Sequence, residues 1–207
     1  MQPWIMIQTG MVTGWEDKMN IREELGKRML FFDGGLGSLL QARGLKPGEL
    51  PETWNFSKPE ELLAIHKEYL EAGADIILAN TFGANRFKYD HLQEIVEAAV
   101  KNAKKAECGR NAYVALDLGP TGKLLKPMGT LDFEEAVSVY AEVVKIGAAA
   151  GADLILIETM SDTYELKAAV LAAKENSDLP VVATVVFDES HKMLTGASPE
   201  VVVAMLE

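Results

Sequence analysis

The apolar positions of this chain alternate between two periods. Short unbroken apolar runs lie at 29–33 (MLFFD), 75–80 (DIILAN), 112–117 (AYVALD), 153–158 (DLILIE) and 181–187 (VVATVVF). Continuous runs of that length suit strands buried on both faces of a parallel sheet, where neither side chain row meets water. Between them, at 59–72, 90–107, 132–150 and 162–176, apolar residues recur at helical spacing, and a last helix opens at SPEVVVAMLE with Ser198 as its N-cap. Ser57 ahead of Pro59-Glu60 and Asp132 ahead of Glu134-Glu135 predict helix starts, and Gly73 and Gly151 predict helix ends.

The chain also repeats itself. AGADIILANTF begins at Ala72 and AGADLILIETM at Ala150, two units apart, so one helix–turn–strand unit occupies roughly 39 residues. Strands alternating with helices predict a parallel α/β fold, either an open doubly wound sheet or a (β/α)8 TIM barrel. The nucleotide fingerprints of open sheets fail here. GGLGSLL supplies Gly35 and Gly37 but no glycine at position 40, and GPTGK lacks a P-loop's first glycine at Asp117 and its hydroxyl at Leu124. A barrel of eight such units needs roughly 310 residues, so 29–207 reads as about its first five βα units, a truncated barrel.

The charge balance narrows the partners. With 31 acidic against 20 basic residues the net charge is −11, which disfavours nucleic acid and anionic membrane. Cys108 is the one cysteine and no apolar run reaches the roughly 18 residues of a membrane span, so a reducing, cytoplasmic location is expected. The first residues lack a signal peptide's basic start and apolar core, and the organised pattern begins near Asn20. Residues 1–28 therefore read as a leader and capping helix, with Met19 as an alternative start, and 29–207 as the barrel domain.

Barrels hold their active sites at the C-terminal ends of the strands. Those ends here carry Asp33, Asn80-Thr81, Asp117, Glu158-Thr159 and Asp188, a converging set of polar groups that ordinary solvent-facing turns would also produce. DGGLG at 33–37 sets a carboxylate for a cation beside free backbone amides for an anion, which suits a zwitterion such as an amino acid. His66, His91 and His191 are scattered without metal-ligand spacing and read as structural or exposed. Cys108 falls between a helix and a strand, on the face opposite the strand C-termini. The residues by themselves leave open a Mg²⁺-dependent aldolase or lyase barrel and a non-enzymatic binding or assembly module.

DGGLGS, ADIILANTFGANRFK, DLGPTGKLLKPMG, ADLILIETMSDTYELKAAVLAAKE and VVATVVFDESHKMLTG, in that order, resemble the homocysteine S-methyltransferase superfamily. Within it they are most similar to the homocysteine-binding module of the cobalamin-dependent methionine synthases, continuously from about Met29 to Glu207. The resemblance implies a zinc-dependent barrel that binds homocysteine and methylates its sulfur to give methionine. It further implies methylcobalamin and methyltetrahydrofolate, carried on cobalamin and folate modules of the same full-length protein. Asp33 and Glu158 match the carboxylates near the substrate ammonium, Gly34 and Gly35 the turn that receives its carboxylate, and Asn80 and Thr81 the motif beside the metal pocket. The family's zinc-binding cysteines, in a GxNC-like and a GGCC-like motif, do not occur in these 207 residues, so the chain as given is expected to be inactive or nearly so.

Overall fold

The computed structural model describes residues 21–24 and 27–207. Of the expected leader and capping helix at 1–28, residues 1–20 and 25–26, with the alternative start at Met19, lie outside the described residues.

After a first turn of helix, α1 (Ile21–Glu24), the chain makes α2 (Leu36–Ala42), a 3₁₀ turn (Pro51–Thr53), α3 (Trp54–Ser57) and α4 (Pro59–Glu71). Strands and helices then alternate: β1 (Ile76–Leu78), α5 (Leu92–Glu107), β2 (Tyr113–Leu118), α6 (Phe133–Ala149), β3 (Leu154–Met160), α7 (Thr163–Asn176), β4 (Val181–Val185) and α8 (Pro199–Leu206). All described strand pairs are parallel and sequential, in the order β1-β2-β3-β4. This is the βα repeat the apolar runs predict.

The first predicted strand is shorter than expected. Of 29–33, a single parallel bridge, Phe32 to Ile76, joins the sheet, with Asp33 N donating to the Ile76 carbonyl at 2.8 Å. The segment has β1 as its one neighbour among the described strands, and Met29 and Phe31 stay exposed, so little burial holds the rest in register.

Two layers of side chains divide along the strands by parity. Ile77, Val114, Leu116, Ile155 and Ile157 face the helices, packing on the inner faces of α5, α6 and α7. Ile76, Leu78, Tyr113, Ala115, Leu154 and Leu156 face the other way and form a separate cluster. Ile21 of α1 joins this inner cluster, and the Tyr113 hydroxyl donates to Glu24 at 2.6 Å, so α1 covers one end of it.

Helix ends follow the sequence with two differences. Gly73 and Gly151 take left-handed backbone at φ 103° and 98°, which lets each helix turn directly into its strand. Ser57 does not cap α4: the preceding segment is itself helical, and its hydroxyl donates back to the Thr53 carbonyl at 3.1 Å. Asp132 occupies the N-cap position of α6 without a capping bond, its carboxylate pairing with Lys126 instead. No helix of the described residues is long and apolar enough to cross a membrane.

Candidate functional site

The inward parity of the strands carries over to their C-terminal ends. Counting in twos, Leu78 leads to Asn80, Ala115 to Asp117 and Leu156 to Glu158, so the inner apolar cluster gives way to polar groups at one rim. They open onto a cavity of about 420 Å³, also lined by Asp33, Gly34, Gly35, Pro51, Glu52, Phe82 and Thr159. A volume of this order suits a small molecule.

Each wall is fixed differently. Asp33 stands beyond the Phe32 bridge, and its Oδ2 accepts from Leu78 N at 3.0 Å, which ties the DGG turn to β1. Asn80 is held by Asn55: Asn55 Nδ2 donates to the Asn80 carbonyl at 3.0 Å, and Asn80 Nδ2 donates to Asn55 Oδ1 at 3.1 Å and to the Pro51 carbonyl at 2.9 Å. Its amide nitrogen is thereby spent on the scaffold. In β3 the register slips between Ile157 and Met160, and Thr159 in that slip has φ 62°. A bulge of this kind re-aims side chains at a rim, here at Glu158 and Thr159.

Four carboxyl groups, Asp33, Glu52, Asp117 and Glu158, share the cavity without a cationic side chain among its lining residues. Burial pushes the Asp33 carboxyl up to about 7, with neighbouring Glu158 adding to the effect and the Leu78 N–H opposing it. Asp117, at 5% exposure, is pushed well above the usual carboxylate range by burial first, then by Glu158 and Asp33. Glu158 is also raised by burial, while its hydrogen bond with Asp117 pulls it down. The two carboxyls therefore share a proton, with Asp117 the more buried partner. Asp33 Oδ1 and Asp117 Oδ1 are buried with no hydrogen-bond partner.

The structure brings together Asp33, Gly34, Gly35, Asn80 and Glu158 of the expected site, with Asp117 and Thr159 from the same rim. Thr81 is not in the lining. It is fully buried on the opposite parity, and its hydroxyl donates to the Asp117 carbonyl at 2.8 Å and accepts from Asp117 N at 3.1 Å, stapling β1 to β2. Asp188 is likewise outside: exposed and held below the usual carboxylate range by Ser190 and Lys192, it closes its own turn.

Glu52 and Phe82 are lining residues that the strand-end pattern does not predict. Glu52 is buried, accepting from Gly83 N and the Tyr89 hydroxyl, both at 2.5 Å. The signal available for it is an acidic residue inside LPETW, near Leu50 and Trp54 and away from any strand. A second buried carboxylate, Glu165, takes Thr121 N at 2.8 Å, Thr121 Oγ1 at 2.7 Å and the Tyr140 hydroxyl at 3.1 Å, and so braces the GPTG loop after β2.

The described residues do not fit zinc. None of their His, Cys, Asp and Glu side chains form a group of three or more able to hold a metal ion. Cys108 is exposed after α5, at the opposite end of the sheet from the cavity. The buried His66 sits on α4, away from the lining, and His91 and His191 are at a helix start and in the turn after β4.

A parallel βα sheet with an acid-lined cavity beside a glycine turn, all at the strand C-termini, is the architecture of a barrel enzyme or ligand-binding barrel. Residues 30–207 match the family model described as homocysteine S-methyltransferase. The chain belongs to the homocysteine S-methyltransferase family. It is 30% identical to a methionine synthase of Mycobacterium tuberculosis, over 86% of this chain but only 17% of that protein. The fold is similar to that of the homocysteine methyltransferase MmuM from Escherichia coli in its metallated form, at TM-score 0.78 and 21% identity, covering 91% of this chain and 74% of that one. The oxidised form of the same enzyme gives TM-score 0.76 and 22% identity, over 91% and 73%. The described strands thus form part of a homocysteine methyltransferase TIM barrel, matching about three quarters of the MmuM chain.

Proposed function

We propose that residues 29–207 are a homocysteine-binding barrel domain of a methyltransferase of the methionine synthase kind, with 1–28 its leader and capping helix. The observation that carries this reading is the pairing of Asp33 and Glu158 across one cavity from the Gly34-Gly35 turn, inside a chain of this family. Homocysteine brings an ammonium and a carboxylate on the same carbon. The carboxyls of Asp33 and Glu158 suit the ammonium, and the exposed Gly34 and Gly35 leave backbone amides for its carboxylate. Asn80 and Phe82 then bound the space for the thiol-bearing arm.

In this reading the chain binds and orients homocysteine. Methyl transfer to the sulfur, yielding methionine, belongs to the whole enzyme, where zinc would make the sulfur a thiolate. Methylcobalamin and methyltetrahydrofolate, on cobalamin and folate modules, would supply the methyl group. Among the described residues no His, Cys, Asp and Glu form a group of three or more able to hold a metal ion, so their part in this reading is to bind and orient homocysteine. An exposed free thiol at Cys108 agrees with a reducing cytoplasm.

Calorimetric titration of the 207-residue chain with L-homocysteine and with 4-mercaptobutyrate, which lacks the amino group, tests this. Homocysteine should bind and the desamino compound should not, and Asp33→Asn and Glu158→Gln should each weaken binding about tenfold or more. Equal affinity for the two compounds would overturn the assignment.

A further inference from the structure

Asp117 has no part in the reading above, yet with Glu52 it is one of the two buried carboxyls of the cavity. It sits on β2 between two acidic walls, Asp33 from the 31–33 segment and Glu158 from the β3 bulge, with Glu52 of the 3₁₀ turn also facing it. Tyr69 of α4 stands behind Asp33, its hydroxyl 3.0 Å from where a Cβ on Gly34 would lie, and Lys88 is beside Gly83 and outside the lining. No lysine, arginine or histidine lines the cavity. Four carboxyls in one small space cannot all ionise without a cation, so the empty cavity must keep protons. Asp117 is hydrogen-bonded to Glu158 and is one-twentieth exposed as a residue, and its buried Oδ1 is unpartnered, so it is a polar atom with a missing partner.

Resting on the amino-acid reading of this site, we infer that Asp117 is a charge-setting residue: it holds the proton it shares with Glu158 while the cavity is empty and releases it when an ammonium group enters. The chemistry balances simply. The Asp117 O–H bond breaks, the proton passes to solvent, and the O–H···O⁻ contact is replaced by N–H···O⁻ contacts from the ligand ammonium. No bond of the ligand changes. The consequence is selectivity by charge. An α-amino acid replaces a proton one for one, whereas a neutral or anionic molecule of the same size leaves the acid pair protonated and Asp117 Oδ1 unpaired.

The test is calorimetry of the 207-residue chain at pH 8, where Asp33 is mostly ionised, in buffers of different ionisation enthalpy. L-homocysteine is the probe, and L-methionine, which has no thiol proton, is its control. The expected result is about one proton released per ligand with either amino acid, and an affinity that strengthens about tenfold per pH unit between 7 and 8. Asp117→Asn, nearly the same shape, should bind about tenfold more weakly with proton release near zero and no such pH dependence. Carbon-13 NMR of aspartate-labelled wild-type chain reads the same event without a variant: the Asp117 carboxyl signal should move from its protonated to its ionised position on binding. Binding without proton release, equal release from Asp117→Asn, or an unmoved Asp117 signal would each overturn the inference and leave the amino-acid site standing. If neither amino acid binds, the site reading itself has failed and this inference falls with it.

Discussion

Gly119 and Phe82 meet where β2 leaves the sheet. Gly119 N donates to the Phe82 carbonyl at 2.9 Å, and the Phe82 ring occupies the place of a side chain at 119, since a Cβ there would lie 2.5 Å from ring carbon Cε2. The GPTG loop thus has a glycine so that the NTF loop can lay its aromatic wall over it. The two halves of the cavity rim interlock at this point.

Gly119→Ala should therefore act on the cavity more than on the fold. The Phe82 ring is 41% exposed and can swing outward, so destabilisation should be about 1 kcal/mol or less, as measured by urea unfolding. The displaced ring opens one wall of the cavity, and homocysteine affinity should fall several-fold. A large stability loss with unchanged affinity would mean that the contact supports the sheet and not the site.

A second prediction separates two aspartates that look alike in the sequence. Asp162 caps α7, its Oδ1 accepting from Tyr164 N at 2.7 Å and Glu165 N at 3.2 Å. Asp162→Ala should cost about 1–2 kcal/mol in urea unfolding. Asp132 stands at the same position of α6 but spends its carboxylate on exposed Lys126, and Asp132→Ala should cost at most a few tenths of a kcal/mol. Equal costs would show that the capping geometry does not decide stability here.

These two residues mark how far sequence carries. The βα repeat, the helices and their order are legible because burial against a sheet imposes apolar spacing that solvent would not. Asp33, Asn80, Asp117 and Glu158 are legible as a rim because strand parity continues the inward row past Leu78, Ala115 and Leu156. The same parity turns Thr81 away, and reading it as a site residue rests on its motif and not on its side of the strand. Glu52 is invisible to such counting. It arrives on a helical turn far from any strand, through the Asn55–Asn80 amide exchange and the Gly83 and Tyr89 contacts, which are long-range by nature. The 29–33 run reads as a full strand from composition, but with one described neighbour it makes a single bridge.

His66 gives stability a pH dependence. It is 1% exposed on α4, both ring nitrogens lack partners, and burial lowers its pKa from 6.5 to about 4. A folded value below the unfolded one means that the unfolded chain takes up the proton first. The stabilising difference is complete above about 6.5 and is lost as pH falls toward 4, amounting to about 3 kcal/mol. Asp33 works in the opposite direction: its folded value of about 7 lies above the ordinary 3.8, so its contribution is fullest at low pH and lost as pH rises through 7. The two partly cancel in the wild type and are separable by substitution. Relative to wild type, His66→Leu should become progressively more stable between pH 6.5 and 4.5 in urea titrations. A constant difference across that range would place a charged or solvated imidazole in the folded state.

Thr159 stores strain at the rim. A β-branched residue at φ 62° costs on the order of 1–2 kcal/mol, and this one sits in the bulge that turns Glu158 toward the cavity, with its N–H donating to Thr184 Oγ1 at 3.0 Å. Glycine accepts that backbone freely but loses more entropy on folding. Thr159→Gly should accordingly raise stability by a net of about 0.5–1 kcal/mol. Affinity should change the other way. With glycine's wider backbone freedom the bulge is no longer held to one conformation, so Glu158 loses its fixed aim, and homocysteine should bind several-fold more weakly. Strain that is relieved without harm to binding would be incidental. Strain whose relief stabilises the fold and weakens the ligand is strain the cavity uses, because the bulge gives up backbone comfort to set Glu158 against Asp117.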